Sequence, residues 1–118
     1  MVFNAMVTNN DDHPRNHALL HTGGGWRLSP AYDILPVPLD SLERRDLALE
    51  VGSFGRAASL YNILSRCSAF GLSREQAMAQ IDRMLEVVRG WRAFFARHGV
   101  AQHSIQMLEP AMLAPSFF

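Results

Sequence analysis

The chain contains no lysine; all eleven of its basic residues are arginines. The lysine with which most phosphoryl-transfer folds grip nucleotide phosphates is therefore missing from these 118 residues. Cysteine is limited to Cys67, which excludes an internal disulfide and predicts a reducing, cytoplasmic location. No apolar run approaches the ~20 residues of a membrane-spanning helix. The first residues, Met1-Val2-Phe3-Asn4-Ala5-Met6, lack the basic flank and long apolar run of a signal peptide. Net charge is absent too, eleven acidic residues balancing the eleven arginines. No overall pull toward nucleic acid or an anionic membrane results. The only glycine run is Gly23-Gly24-Gly25; no helix follows it, so it reads as a turn and not as a phosphate cradle.

What is present is concentrated in Asn9-Asn10-Asp11-Asp12-His13-Pro14-Arg15-Asn16-His17. Two carboxylates, three carboxamides, two imidazoles and a guanidinium surround one proline. Buried, each would need a partner, so the stretch is a solvated loop or a site. Pro14 fixes its own φ and pushes His13 toward an extended conformation, so no helix continues through it. Asp11 precedes Asn16 by five positions, and Asp33 follows in Ser29-Pro30-Ala31-Tyr32-Asp33.

Asp11-Asp12-His13-Pro14-Arg15-Asn16-His17, followed by Trp26-Arg27-Leu28-Ser29-Pro30-Ala31-Tyr32-Asp33, resembles the C-terminal half of HipA-like Ser/Thr kinases, the toxins of bacterial toxin–antitoxin pairs. The similarity extends through Leu47-Ala48-Leu49-Glu50-Val51-Gly52 and the helices beyond. The Asp-x-His-x-x-Asn form is also similar to the catalytic loop of lipid kinases. The resemblance implies a kinase-like C-terminal lobe using ATP and Mg²⁺. In it Asp11 takes the proton of a protein hydroxyl, and Asn16 and Asp33 hold Mg²⁺ and, through it, the nucleotide. His13 matches the family's loop histidine and is expected to brace the loop. Arg15 either touches phosphate or substrate or stays solvated. Asp12 falls on a variable position and is expected to be a solvated neighbour. An aminoacyl-tRNA synthetase as substrate and a DNA-binding antitoxin as partner follow from the resemblance alone.

Taken in order, the chain is expected to be mainly α, one domain over residues 1–118, with a small β-hairpin beside the catalytic loop. Residues 1–8 read as a helix end without a cap, its apolar face a candidate exposed patch for self-association. Residues 17–21 and 26–28 read as two strands around the glycine turn. The hairpin returns the chain, so that Asn16 and Asp33 converge on one metal. Pro30, Pro36 and Pro38 stiffen the segment carrying Asp33, with Tyr32 and Ile34 as packing anchors. Residues 40–45 read as a polar turn or short helix, with Arg44-Arg45 solvated, and Leu47–Val51 as a short strand ended by Gly52 and Gly55.

Leu60, Ile63, Leu64 and Cys67 share a helical face before Gly71. Ser73-Arg74-Glu75-Gln76 has capping-box form. Ala77, Ile81, Met84, Val88, Trp91 and Phe95 then form one seam. That helix is expected to run to about Arg97, roughly 37 Å, with Gly90 as its weak point. Residues 101–109 read as a helix stopped by Pro110, and the end of the chain as loose unless it docks.

Two other readings stay open. His13 and His17, beside Asp11 and Asp12, have the residue types of a transition-metal hydrolase site. Without lysine and glycine loop, the chain also fits a non-catalytic, kinase-like module that binds a partner. In either kinase-like case the N-terminal lobe that grips ATP is absent from this sequence, which reads as a fragment of a larger kinase, inactive alone.

Overall fold

The computed structural model describes residues 1–38 and 45–118. Its architecture is mainly helical, with one two-stranded antiparallel sheet. Helix α1 (Val2–Met6) leads into the polar loop, where a single 3₁₀ turn, Pro14–Asn16, starts at the proline. His13 is extended (φ −83°, ψ 156°), as a residue before proline should be. Strands β1 (Leu19–Thr22) and β2 (Gly25–Leu28) pair with Leu19 opposite Leu28 and His21 opposite Trp26, across the two-residue turn Gly23-Gly24. All eight strand residues but Gly25 are exposed, so the hairpin stands out from the body.

The expected strand at Leu47–Val51 does not form. Only isolated bridges, Asp46 with Ala57 and Gly52 with Gly55, join the two sides of this turn. In a strand Leu47, Leu49 and Val51 would share a face, but Leu47 and Val51 are buried while Leu49 is 39 % exposed. The tip is instead fixed by Asn62. Its Oδ1 accepts from the Phe54 N–H (2.9 Å), and its Nδ2 donates to the carbonyls of Gly55 and Ala57 (both 2.9 Å).

Helix α2 (Leu60–Leu64) is capped by the Ser59 side chain; a separate 3₁₀ turn, Cys67–Phe70, ends at left-handed Gly71 (φ 69°). The break between them falls where the Ser65 hydroxyl donates to the Asn62 carbonyl (2.6 Å) and accepts from the Ser53 N–H (2.8 Å). Helix α3 (Arg74–Arg89) carries the expected capping box, Ser73 with Gln76. It buries Ala77, Ile81, Leu85 and Val88; Met84, placed on the seam by its spacing, is 40 % exposed, and Leu85 takes its place. The single long helix expected to Arg97 is divided at Gly90 into α3 and α4 (Trp91–Arg97). Helix α5 (Gln102–Leu108) runs into a 3₁₀ turn, Glu109–Ala111, and Glu109 pairs with Arg92 of α4.

The core joins both halves of the chain: Met6 and Val7 at the end of α1, Leu47 and Val51, Ile63 and Leu64, the inner face of α3, and Phe117. The apolar face of α1 is covered only in part: Ala5, Met6 and Val7 are buried, with α3 packed on the helix, while Phe3 is 42 % exposed. The tail docks and so is not loose: Phe117 is 1 % exposed and the Leu113 N–H donates to the Met6 carbonyl (2.7 Å). Of the polar segment 40–45, expected as a turn or short helix, residues 40–44 lie outside the described residues, while Arg45 is buried and not solvated. No helix among the described residues is long and apolar enough to cross a membrane.

Candidate active site

The loop is built outward from the end of α1. Chain direction changes at Thr8, whose φ of 53° is left-handed. The Thr8 hydroxyl donates to the Ala111 carbonyl (2.6 Å) and accepts from Arg45 Nη1 (2.7 Å). Burial lowers the pKa of that guanidinium from its ordinary value. Asn9, also buried, donates through Nδ2 to Asn4 Oδ1 (3.3 Å).

Asp11 faces solvent, its side chain 71 % exposed, with His13 Nε2 2.9 Å from Oδ1. Its backbone carbonyl accepts from the His13 N–H (2.8 Å) and from Asn16 Nδ2 (3.1 Å). The second bond uses one N–H of the Asn16 carboxamide, and no hydrogen bond to its Oδ1 is found among the described residues. Asp12 behaves oppositely. It was expected to be solvated, yet its side chain is 5 % exposed and lies 3.5 Å from His17 Nε2. His17 Nδ1 is 3.2 Å from the His13 carbonyl. Arg15 is exposed.

Asp33 reaches this loop through its neighbours. The Tyr32 hydroxyl donates to the Arg15 carbonyl (2.7 Å), and the Val37 N–H donates to the Thr8 carbonyl (3.2 Å). The segment 32–37 is thus fastened to the loop 8–15 at two points, in antiparallel order. Asp33 is exposed and has φ 55°, a left-handed conformation that an aspartate adopts more readily than most residues. Between loop and segment lies a cleft of about 330 Å³ lined by Asn4, Asn9, Asp12, Asn16, His17, Ser29 and Tyr32, among others. Asp11 and Asp33 are not part of this lining. A second, apolar groove of about 500 Å³ runs between α1 and α3, with Cys67, Phe70 and Met84 on its walls.

Chemically the loop offers an exposed carboxylate held by one imidazole, a carboxamide oxygen and a second exposed carboxylate on a fastened segment. Asn16 and Asp33 present the hard oxygens that Mg²⁺ prefers, and few protein ligands suffice for it. The histidines, in contrast, are divided into two pairs, His13 with Asp11 and His17 with Asp12. Among the described residues no three His, Cys, Asp or Glu side chains gather as a metal-holding set.

Thr8, Arg45 and the inward Asp12 are not foreseen from the residue pattern, and Tyr32 is expected there only to pack. Their roles depend on segments distant in the chain, which no local spacing encodes. The chain belongs to the HipA-like C-terminal domain family, whose model matches residues 1–91. No curated protein and no solved structure matches the chain.

Proposed function

We propose that this chain is the catalytic-loop half, a kinase-like C-terminal lobe, of a HipA-like protein Ser/Thr kinase that transfers the γ-phosphate of ATP to a protein hydroxyl. The observation that carries this reading is the two-point fastening of segment 32–37 to loop 8–15, which joins the piece bearing Asp33 to the piece bearing Asp11 and Asn16. Asp11 accepts the hydroxyl proton of the substrate. His13 Nε2–H donates to Oδ1 of Asp11 and leaves the second carboxylate oxygen for that proton. Asn16 Oδ1 and the Asp33 carboxylate hold Mg²⁺, which when bound offsets the charge on the phosphates. Arg15 stands next to Asn16, where an exposed guanidinium meets phosphate or substrate.

In a kinase of this kind the groups that grip ATP, a lysine and a glycine-rich loop, sit in an N-terminal lobe; these 118 residues contain no lysine and no such loop ahead of Asp11. An aminoacyl-tRNA synthetase as substrate, a DNA-binding antitoxin as partner and a cytoplasmic setting go with the family.

The test uses calorimetric titration with ATP and Mg²⁺ and a radiolabel assay, on the chain alone and with an N-terminal half added in trans. The chain alone should bind ATP in the millimolar range or weaker, about −4 kcal/mol, and transfer no label. Transfer should appear with the added half and fall by about 10²-fold or more in Asp11→Asn, the typical weight of a general base. Activity unchanged by both Asp11→Asn and Asp33→Asn would overturn the assignment. A non-catalytic module that binds a protein partner is the second reading. It is favoured by the exposed apolar ladder of Leu19, Leu28 and Trp26, at 64 %, 66 % and 69 % exposure, and predicts no transfer in any combination.

A further inference from the structure

Thr8 stands three residues before Asp11, where α1 gives way to the loop, and its backbone is left-handed (φ 53°). A β-branched residue is an outlier there, and glycine or asparagine would fit without cost. What threonine supplies in their place is a hydroxyl with two partners. It donates to the Ala111 carbonyl at 2.6 Å and accepts from Arg45 Nη1 at 2.7 Å, and Thr8 and Arg45 are 1 % and 7 % exposed. The Thr8 carbonyl takes a third bond, from the Val37 N–H at 3.2 Å. Four separate parts of the chain therefore meet on one residue: the end of α1, the segment carrying Asp33, the start of the 45–58 turn, and the C-terminal tail. Ala111 lies beyond the region matched by the family, which ends at residue 91.

We propose that Thr8, clamped by Arg45 and the Ala111 carbonyl, is a positioning residue for the loop. It fixes the direction in which the chain leaves α1, and with it the placement of Asp11 and Asn16 relative to segment 32–37. Arg45 acts through Thr8: its guanidinium is always charged, donates in a fixed fork and cannot reverse its role to become an acceptor. The Thr8 hydroxyl proton is thereby left to point at Ala111. The C-terminal tail serves as the back wall of the loop. The importance of this clamp rests on the loop being the kinase site, but the clamp itself is tested without nucleotide, metal or turnover.

The experiment is residue-resolved amide hydrogen exchange, with the Asn16 side-chain amide signals, on the ¹⁵N-labelled full chain and three variants. Thr8→Val removes the hydroxyl and keeps the shape, Arg45→Met removes its donor, and Thr8→Ser keeps the hydroxyl. In Thr8→Val and Arg45→Met, the amides of His13, Asn16 and His17 should exchange about tenfold faster or more, as expected when a local opening is released. The Asn16 side-chain signals should shift as its bond to the Asp11 carbonyl loosens, while the α3 amides of Leu85 and Val88 change less than about twofold. Thr8→Ser should restore the native pattern. Loop amides that do not respond, or that rise by the same factor as those of α3, would overturn the proposal, the second result assigning Thr8 to overall stability. Failure of Thr8→Ser to rescue, or of both other variants to fold, would count against it equally. Failure of the kinase assignment would appear only in the Asp11→Asn assay.

Discussion

Asn62 is 1 % exposed, and its carboxamide satisfies three backbone groups of the 53–57 turn. Truncation to alanine would leave those groups without partners, at about 1–3 kcal/mol for each one that water cannot reach. Gly52 is fitted against the same residue. A Cβ there would lie 2.0 Å from the Asn62 carbonyl oxygen, 2.5 Å from Ser65 Oγ and 2.6 Å from Asn62 Oδ1. Gly52→Ala should therefore cost about 3 kcal/mol or more, because a backbone atom has to move. Adding Asn62→Ala should not rescue it, since the tightest contact is with the carbonyl and survives the truncation. Urea unfolding of the two single variants and the double variant checks both; recovery in the double variant would place the conflict on the side chain instead. Residues at this scale were legible in the sequence only where local spacing is enough. The polar loop and its extended His13 followed from the run of residue types around Pro14. Which of Asp11 and Asp12 faces inward did not, because no local spacing distinguishes two adjacent aspartates. Nor did the Tyr32 hydroxyl, whose partner lies seventeen residues earlier.

At the scale of elements, the hairpin, the capping box at Ser73 and the helical half of the chain were all readable from turn chemistry and period. The errors share one cause: side chains replace backbone pairing. The strand at Leu47–Val51 gives way because Asn62 holds the tip of the turn, and the helix after Ala57 is interrupted because Ser65 engages the Asn62 carbonyl. Gly90 is a different case, a weak point that the sequence did identify. It has φ −80° and ψ 1°, which any residue can adopt, and a Cβ would meet nothing closer than the Val87 carbonyl oxygen at 3.4 Å. The Phe94 N–H still donates to its carbonyl at 3.1 Å, so α4 starts on the last turn of α3. Gly90→Ala should then stabilise the fold by about 0.5 kcal/mol, by restricting the unfolded chain. A rise of roughly 2 °C in Tm is the expected size for a domain of this length. A fall in Tm would mean that the α3–α4 junction bends in solution to angles only glycine allows.

The whole molecule is closed by its last residues, although the family match ends at residue 91. Phe117 is among the largest fully buried side chains and belongs to the same cluster as Met6, Val7 and Ile81. The tail also gives two hydrogen-bonding groups to the region of α1, the Leu113 N–H to Met6 and the Ala111 carbonyl to Thr8. Nothing local in the final residues announces this, since the two short apolar groups, Ala111–Ala114 and Phe117-Phe118, are split by Pro115 and have no period. Only packing on the core cluster selects Phe117. Phe117→Ala removes a whole buried ring from the core cluster, for which about 3–5 kcal/mol is expected. That is a large part of the 5–15 kcal/mol typical of a folded domain. The loss should be global, because Phe117 touches the core that every helix from α1 to α3 shares. In guanidinium unfolding the midpoint should fall while the slope stays the same, since the surface exposed on unfolding is nearly unchanged. Amides of Met6 and Val7 should then lose protection together with those of Ile81 and Val88. A loss below about 1 kcal/mol, or one confined to the tail, would show that residues 112–118 lie on a core already complete without them.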